Sequence, residues 1–282
     1  MTMAGTDMAG GQAVQATAPP LLKVTNLEVV YHRAATAVQG VSIKVDQGTI
    51  TAIVGTNGAG KTTTLAAIAG FMRADDVHIT QGDVLFDGIQ IKELPNYRIS
   101  ALGISLVPER DKIFKVLSVE DNLAACVPGR GTEGVMSRAD VYQLFPALAS
   151  RRGTVAGYLS GGERQMLAIA MTLLSRPKLI MIDEMSLGLA PVIVAQLQES
   201  VRTLRREFGI SFLIVEQNAA TALEIAEYTY VLENGRVVFD GTRDRLLGHD
   251  DFQEFYLGIE RGGEQKSYKD IKQYRRKRRW FG

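Results

Sequence analysis

The chain has 282 residues, 46% hydrophobic and 22% charged, with a formal net charge of +1. That balance suits one large or two small folded domains with a sizeable core, and it excludes a mostly disordered chain or a coiled coil. The single cysteine, Cys126, excludes an intramolecular disulfide and a cysteine-built zinc site.

Residues 1–20 are rich in Gly, Ala and Pro, carry no basic residue and no long apolar run, and read as a flexible leader, not a secretory signal. Residues 21–31 are rich in strand formers, and 41–45 (VSIKV) alternate like a half-buried strand. Residues 49–54 (TITAIV) form a short β-branched run that suits a buried strand. A glycine-rich loop and helix-forming residues 65–69 follow directly. Residues 73–80 (RADDVHIT) read as a solvated loop insertion. Residues 84–86 and 89–91 flank Asp87-Gly88, a hairpin-turn dipeptide. Residues 104–107 suit another strand. Residues 119–126 and 141–148 read as helical, with Pro146 ending or kinking the second. Residues 163–175 carry apolar side chains at helical spacing. Residues 179–182 and 212–215 are buried-strand runs, and 228–232 with 236–239 form a hairpin around Glu233-Asn234-Gly235. Residues 261–282 hold nine Lys/Arg against two Asp/Glu, while the rest of the chain holds 23 against 29. A mildly acidic body thus ends in a strongly basic tail. No run approaches the ~20 apolar residues needed to cross a bilayer, so the chain reads as cytoplasmic.

Two motifs carry chemistry. Gly55-Thr56-Asn57-Gly58-Ala59-Gly60-Lys61-Thr62 fits G-x-x-x-x-G-K-[ST] without mismatch, and Thr63 extends it. Glycines let successive backbone N–H groups curl around phosphates, Lys61 supplies a point charge, the Thr62 hydroxyl reaches Mg²⁺, and the following helix directs its positive end at the anion. A chance glycine turn is the bland alternative, disfavoured by the strand before and the helix after. Second, the apolar run 179–182 closes on Asp183-Glu184. A buried strand delivers both acids at its carboxyl end, where Asp183 would hold Mg²⁺ and Glu184 would polarise an attacking water. Without the upstream loop, the two acids would read equally well as capping residues.

A third motif, Leu159-Ser160-Gly161-Gly162-Glu163-Arg164-Gln165, places a hydroxyl and free N–H groups at a helix start. Alone it is a helix cap with a glycine turn. Downstream of the phosphate loop and just upstream of Asp183-Glu184, it closely resembles the signature of ABC-type ATPases, and the resemblance spans roughly residues 21–258. It implies an α/β fold: a mostly parallel phosphate-loop core, an antiparallel β layer, and a helical subdomain near residues 110–160. The implied ATP-binding domain covers residues 21–260, between the leader and the 261–282 tail. The resemblance further implies that Ser160, Gly161 and Gly162 close on ATP held by another subunit's loop in a head-to-tail pair, and that Tyr31 stacks on adenine. The alternative for Tyr31 is a core tyrosine on a strand.

Val107-Pro108-Glu109, Ser118-Val119-Glu120-Asp121-Asn122-Leu123, Ser186-Leu187-Gly188-Leu189-Ala190-Pro191, Val215-Glu216-Gln217-Asn218 and Tyr230-Val231-Leu232-Glu233-Asn234-Gly235 resemble the shorter ATPase of branched-chain (hydrophobic) amino acid importers. That branch implies ATP and Mg²⁺ as ligands, a second ATPase subunit, two membrane permeases, and a periplasmic or extracellular binding protein, with the chain lying on the inner face of the membrane. Glu109 stands where the family usually offers Gln to Mg²⁺, Gln217 where it offers His to the γ-phosphate, and Ala190 where it has Asp. Glu109 adds negative charge near the phosphates unless Mg²⁺ or a basic group compensates. An ABC-type ATPase acting on nucleic acid or ribosomes is a rival, but it usually carries two cassettes, a coiled coil or Cys-rich modules, so no nucleic acid is expected. A subunit that only binds ATP beside a hydrolysing partner is a third reading. His32, His78 and His249 share no metal spacing and read as surface residues. Cys126 reads as a packing residue.

Overall fold

The computed structural model describes residues 18–32, 35–72, 77–110, 112–126 and 136–258. The chain opens with β1 (Leu22–Tyr31), β2 (Ala35–Val45), β3 (Ile50–Val54), α1 (Lys61–Ala69), β4 (Val77–Phe86), β5 (Ile89–Gln90), α2 (Asn96–Leu102) and β6 (Ile104–Val107). Short helices α3 (Val119–Ala124), α4 (Arg138–Leu144) and α5 (Pro146–Ala149) lead to α6 (Gly161–Leu173). Then come β7 (Leu179–Asp183), α7 (Pro191–Phe208), β8 (Ser211–Glu216), α8 (Ala219–Ile225), β9 (Tyr228–Glu233), β10 (Arg236–Gly241), α9 (Arg243–Leu247) and α10 (Asp250–Leu257).

The strands form two sheets. One is antiparallel, ordered β2-β1-β4-β5; the other is ordered β10-β9-β3-β8-β7-β6, parallel except for β10. Every residue of β3, β7 and β8 is buried. Period-2 side chains sort these residues onto two faces. Ile50, Ala52, Ile180, Ile182, Phe212 and Ile214 join one core with Leu167 of α6 and Leu197 and Val201 of α7. Ile53, Leu179, Met181, Leu213 and Val215 join the other, with Leu65 and Ile68 of α1 and Leu22, Val29 and Val41 of the antiparallel sheet. This is why the runs are continuously apolar. Each such side chain contributes on the order of 1.5–3 kcal/mol by leaving water. In register, Val54 lies opposite Glu216, and Asp183 opposite Val215. The loops after β3, β7 and β8 therefore leave the sheet side by side.

Asp87-Gly88 and Asn234-Gly235 each have two successive positive φ angles, +50° and +76°, then +48° and +75°, as tight hairpin turns require. The second turn is wedged. The Gly235 N–H donates to the Ala59 carbonyl (3.0 Å), its carbonyl accepts from the Gln39 N–H (2.7 Å), and a Cβ there would lie 2.5 Å from the Ala37 oxygen.

Pro146 does end the helix read over 141–148: α4 stops at Leu144, Phe145 breaks the backbone, and Pro146 starts α5. The loop expected at 73–80 is corrected in part. Residues 77–80 begin β4, with Val77 buried and paired to Tyr31, so its apolar side chain is drawn into the sheet despite the acidic neighbours. The longest helix among the described residues, α7, has no counterpart in the sequence reading. Pro191 at its first turn and Gly209 in the left-handed region after its end were its signals. Residues 1–17, 73–76 and 127–135, and the basic tail at 261–282, lie outside the described residues. No helix among the described residues is long and apolar enough to cross a membrane.

Candidate functional site

Where β3 ends, the chain turns through Gly55, whose Cβ position would fall 2.3 Å from the Leu232 carbonyl oxygen. Only glycine fits there. Thr56, Asn57 and Gly58 are exposed. Gly60 precedes α1 at φ +97°, with the Ala37 oxygen 2.7 Å from its Cβ position. The first turn of α1 has no side-chain cap and no acidic residue. Its start thus offers N–H groups and positive potential to an anion, with no side-chain cap among the described residues competing for them.

Lys61 folds back over this loop. It is buried, and its Nζ donates to the carbonyls of Gly55 (2.9 Å) and Thr56 (3.3 Å). It also lies 3.4 Å from Glu184 Oε1. The Thr62 hydroxyl donates to Asp183 Oδ1 at 3.2 Å. Burial pushes the Asp183 carboxyl above its ordinary range. The Glu184 and Glu109 charges add to that, while the Thr62 hydrogen bond and Lys61 oppose it. Burial thus disfavours the Asp183 charge, and a bound cation would favour it. Glu184 adopts φ +54°, in the left-handed region, and its N–H donates to the Val215 carbonyl at 3.0 Å.

Glu109, just beyond β6, is partly exposed and contacts Arg110 at 3.2 Å. Lys112 lies close enough to Glu109 and Asp183 for both carboxylates to hold its pKa up, although burial and Arg164 bring it below its ordinary value. Its Nζ donates to Gln165 of α6. Basic groups thus do accompany the extra carboxylate. Gln217 is exposed beside Glu184, Ser186, Glu216 and Tyr256 on a cavity of about 500 Å³. Asn218, next to it, caps α8 by accepting from the N–H groups of Ala220 and Thr221.

Tyr31 ends β1, and its hydroxyl shares a 3.2 Å hydrogen bond with Thr63. Its ring is therefore beside the phosphate loop while packing on the core edge. Ser160, Gly161 and Gly162 stand apart from that loop: no hydrogen bond or ion pair among the described residues joins the two. Ser160 caps α6 in a reciprocal box with Glu163, and a Cβ on Gly162 would meet Ile193 at 2.3 Å. Burial raises the Cys126 thiol, and its Sγ lies 3.5 Å from the Asn122 carbonyl. That disfavours the reactive thiolate.

Ser186 and Glu216 stand in stretches that carry the resemblance, but neither has a role assigned from the sequence. The Ser186 N–H (2.9 Å) and hydroxyl (2.7 Å) both donate to the Glu216 carboxylate, which is 1% exposed. Burial lifts that carboxyl from an ordinary 4.5 to about 7. The Glu184 charge contributes, while the Ser186 hydrogen bonds and Lys61 pull it down. Glu216 thus holds its proton more tightly folded than unfolded. Stability is fully present below about pH 4.5 and declines as pH rises towards 7, by at most about 3 kcal/mol. Glu216→Gln removes that penalty. Its gain in thermal midpoint over wild type should be about 5 °C larger at pH 8 than at pH 5. Calorimetry at the two pH values checks this, and equal gains refute it.

Residues 38–186 match the ABC transporter family. The chain is 41% identical over 229 residues to the high-affinity branched-chain amino acid transport ATP-binding protein BraG of Pseudomonas aeruginosa, covering 81% of this chain and 96% of that one. It is 38% identical over 220 residues to the probable branched-chain amino acid transport ATP-binding protein LivF of Archaeoglobus fulgidus, covering 78% and 91%. The lipopolysaccharide export system ATP-binding protein LptB of Escherichia coli K12 is 32% identical, covering 84% and 97%. Among solved structures, an ATP-binding cassette of an ABC transporter in its ADP conformation superposes with a TM-score of 0.72 at 26% identity, covering 86% of this chain and all of that one.

Proposed function

This chain belongs to the ABC transporter family as an ATP-hydrolysing subunit coupled to transport, and we propose that it drives an importer of branched-chain or other hydrophobic amino acids or related small molecules. One observation carries the assignment of its site. Two contacts bridge the phosphate loop to the end of β7: Lys61 to Glu184 at 3.4 Å and Thr62 to Asp183 at 3.2 Å. The cation, the hydroxyl and the two acids that phosphoryl transfer requires therefore share one place.

In this reading the backbone of Gly55–Thr63 and the start of α1 cradle the phosphates of ATP, and Tyr31 stacks on adenine. Lys61 leaves Glu184 for the β- and γ-phosphates. Glu184, so released, orients a water and takes its proton as the water oxygen bonds the γ-phosphorus and the bond from that phosphorus to the bridging oxygen breaks, releasing ADP. Gln217 donates a hydrogen bond to the γ-phosphate. Thr62, Asp183 and Glu109 would hold Mg²⁺, which when bound neutralises phosphate charge. The Thr62–Asp183 contact, which pairs a hydroxyl with a carboxylate as hard oxygen donors, fits such an ion. Ser160–Gly162 face a second ATPase subunit, whose nucleotide they cover in a head-to-tail pair.

The partners that fit are two membrane permeases and a periplasmic or extracellular binding protein, with the chain held on the membrane's inner face by the permeases. Phe71 and Tyr97, both exposed, rim a groove of about 370 Å³ reaching Pro108 and Lys112. Phe114 and Val116 are exposed nearby along the chain. This surface suits an apolar permease segment. The basic 261–282 tail is outside the described residues and carries no part of this reading. The test is reconstitution with the permeases and binding protein of such an importer. Turnover in proteoliposomes should rise at least ~5-fold on adding a branched-chain amino acid. No stimulation by any hydrophobic amino acid refutes the substrate class.

A further inference from the structure

Among the described residues, the roles above leave one buried charge unused. Glu216 ends β8 after the apolar run 212–215, where an aliphatic side chain would avoid the cost of desolvating a carboxyl. Both of its oxygens are engaged by one residue, Ser186, through the N–H at 2.9 Å and the hydroxyl at 2.7 Å. Ser186 lies two residues after Glu184. The Glu184 N–H is itself bonded to the Val215 carbonyl, the residue before Glu216. The segment 184–186 is therefore tied to the end of β8 at two successive positions. Between those ties Glu184 sits at φ +54°, a conformation that a non-glycine residue leaves unless its surroundings hold it.

We propose that Glu216 is a positioning residue: its carboxylate clamps Ser186, holds Glu184 in the left-handed conformation that directs its side chain to Lys61, and fixes that segment to the strand end from which Gln217 emerges. The groups facing it are Ser186, Glu184 and Lys61, and all but Lys61 line the same cavity as Gln217. The inference rests on Glu184 as the residue that orients water.

The test is steady-state turnover of Mg·ATP by the full chain with its partner ATPase, for Glu216→Ala, Glu216→Gln, Ser186→Ala and Glu184→Gln. Glu216→Ala should lower kcat ~10–100-fold with KM within ~3-fold of wild type, because positioning fails while nucleotide contacts remain. Glu216→Gln should recover most of that loss, since its amide offers an acceptor to the Ser186 N–H and a donor to the hydroxyl oxygen. Ser186→Ala should fall between them. Wild-type kcat in folded Glu216→Ala, or equal impairment of the Gln and Ala variants, overturns the clamp. If Glu216→Ala does not fold, Ser186→Ala against Ser186→Thr decides: only the alanine variant should lose kcat, and equal values refute the proposal. Turnover surviving in Glu184→Gln overturns the underlying reading instead, whatever the Glu216 series gives.

Discussion

Lys61→Ala is expected to weaken ATP binding at least ~100-fold and to remove measurable turnover at this site. A charged hydrogen bond to phosphate contributes about 3 kcal/mol, and Lys61 is the cation seated on the loop, bonded to the Gly55 and Thr56 carbonyls. The substitution also leaves Glu184, only 9% exposed, without its ion-pair partner. Opening to the adjoining cavity moderates that cost, so the thermal midpoint should drop by a few degrees and not collapse. Titration calorimetry with Mg·ATP and a phosphate-release assay are the measurements. Unchanged affinity together with unchanged turnover would remove Gly55–Thr63 from the site.

Glu184→Gln should separate binding from hydrolysis. The amide keeps the shape but cannot accept the water's proton, and loss of such a base costs on the order of 10²–10⁴ in rate. ATP affinity should hold or rise, because the 3.4 Å pairing that engages Lys61 before nucleotide arrives is weakened. With ATP present and hydrolysis blocked, the closed pair should accumulate with the partner ATPase, visible as an earlier-eluting species by size exclusion with light scattering. A variant that turns over ATP at the wild-type rate would show that another group takes the proton.

How legible the site was depended on how far apart in the chain its parts lie. The glycine loop and the Asp183-Glu184 pair are contiguous strings, each flanked by an apolar run that fixes its place at a strand's end. They could be found without coordinates. Gln217 was found only through resemblance. The Ser186–Glu216 clamp spans 30 positions and the Lys112–Gln165 contact 53, and each exists only because parallel pairing or helix packing brings its ends together. Glu216 still left a trace: residues 212–216 repeat the pattern of 179–183, an apolar run closed by an acid. Residues 77–80 misled because acidic neighbours outweighed Val77 and Ile79 in the reading, whereas pairing to β1 decided the structure. The helix α7 was marked by its Pro and Gly ends, but its polar face obscured the buried spacing of Leu197, Val201 and Leu204.

The wedged turn at Asn234-Gly235 bears on how the protein ages. Asn-Gly is the dipeptide most prone to spontaneous deamidation, because the glycine's backbone nitrogen can attack the asparagine side-chain carbonyl, expel ammonia and form a cyclic imide. Here that nitrogen donates its hydrogen to the Ala59 carbonyl inside the phosphate loop, and the glycine is held against Ala37. The native fold therefore shields this Asn-Gly bond, and damage at this turn accumulates chiefly in chains that have opened. Reopening of the imide to isoaspartate would add a backbone atom at the turn and push against Ala59. The same contact that delays the lesion would carry its effect straight into the nucleotide loop.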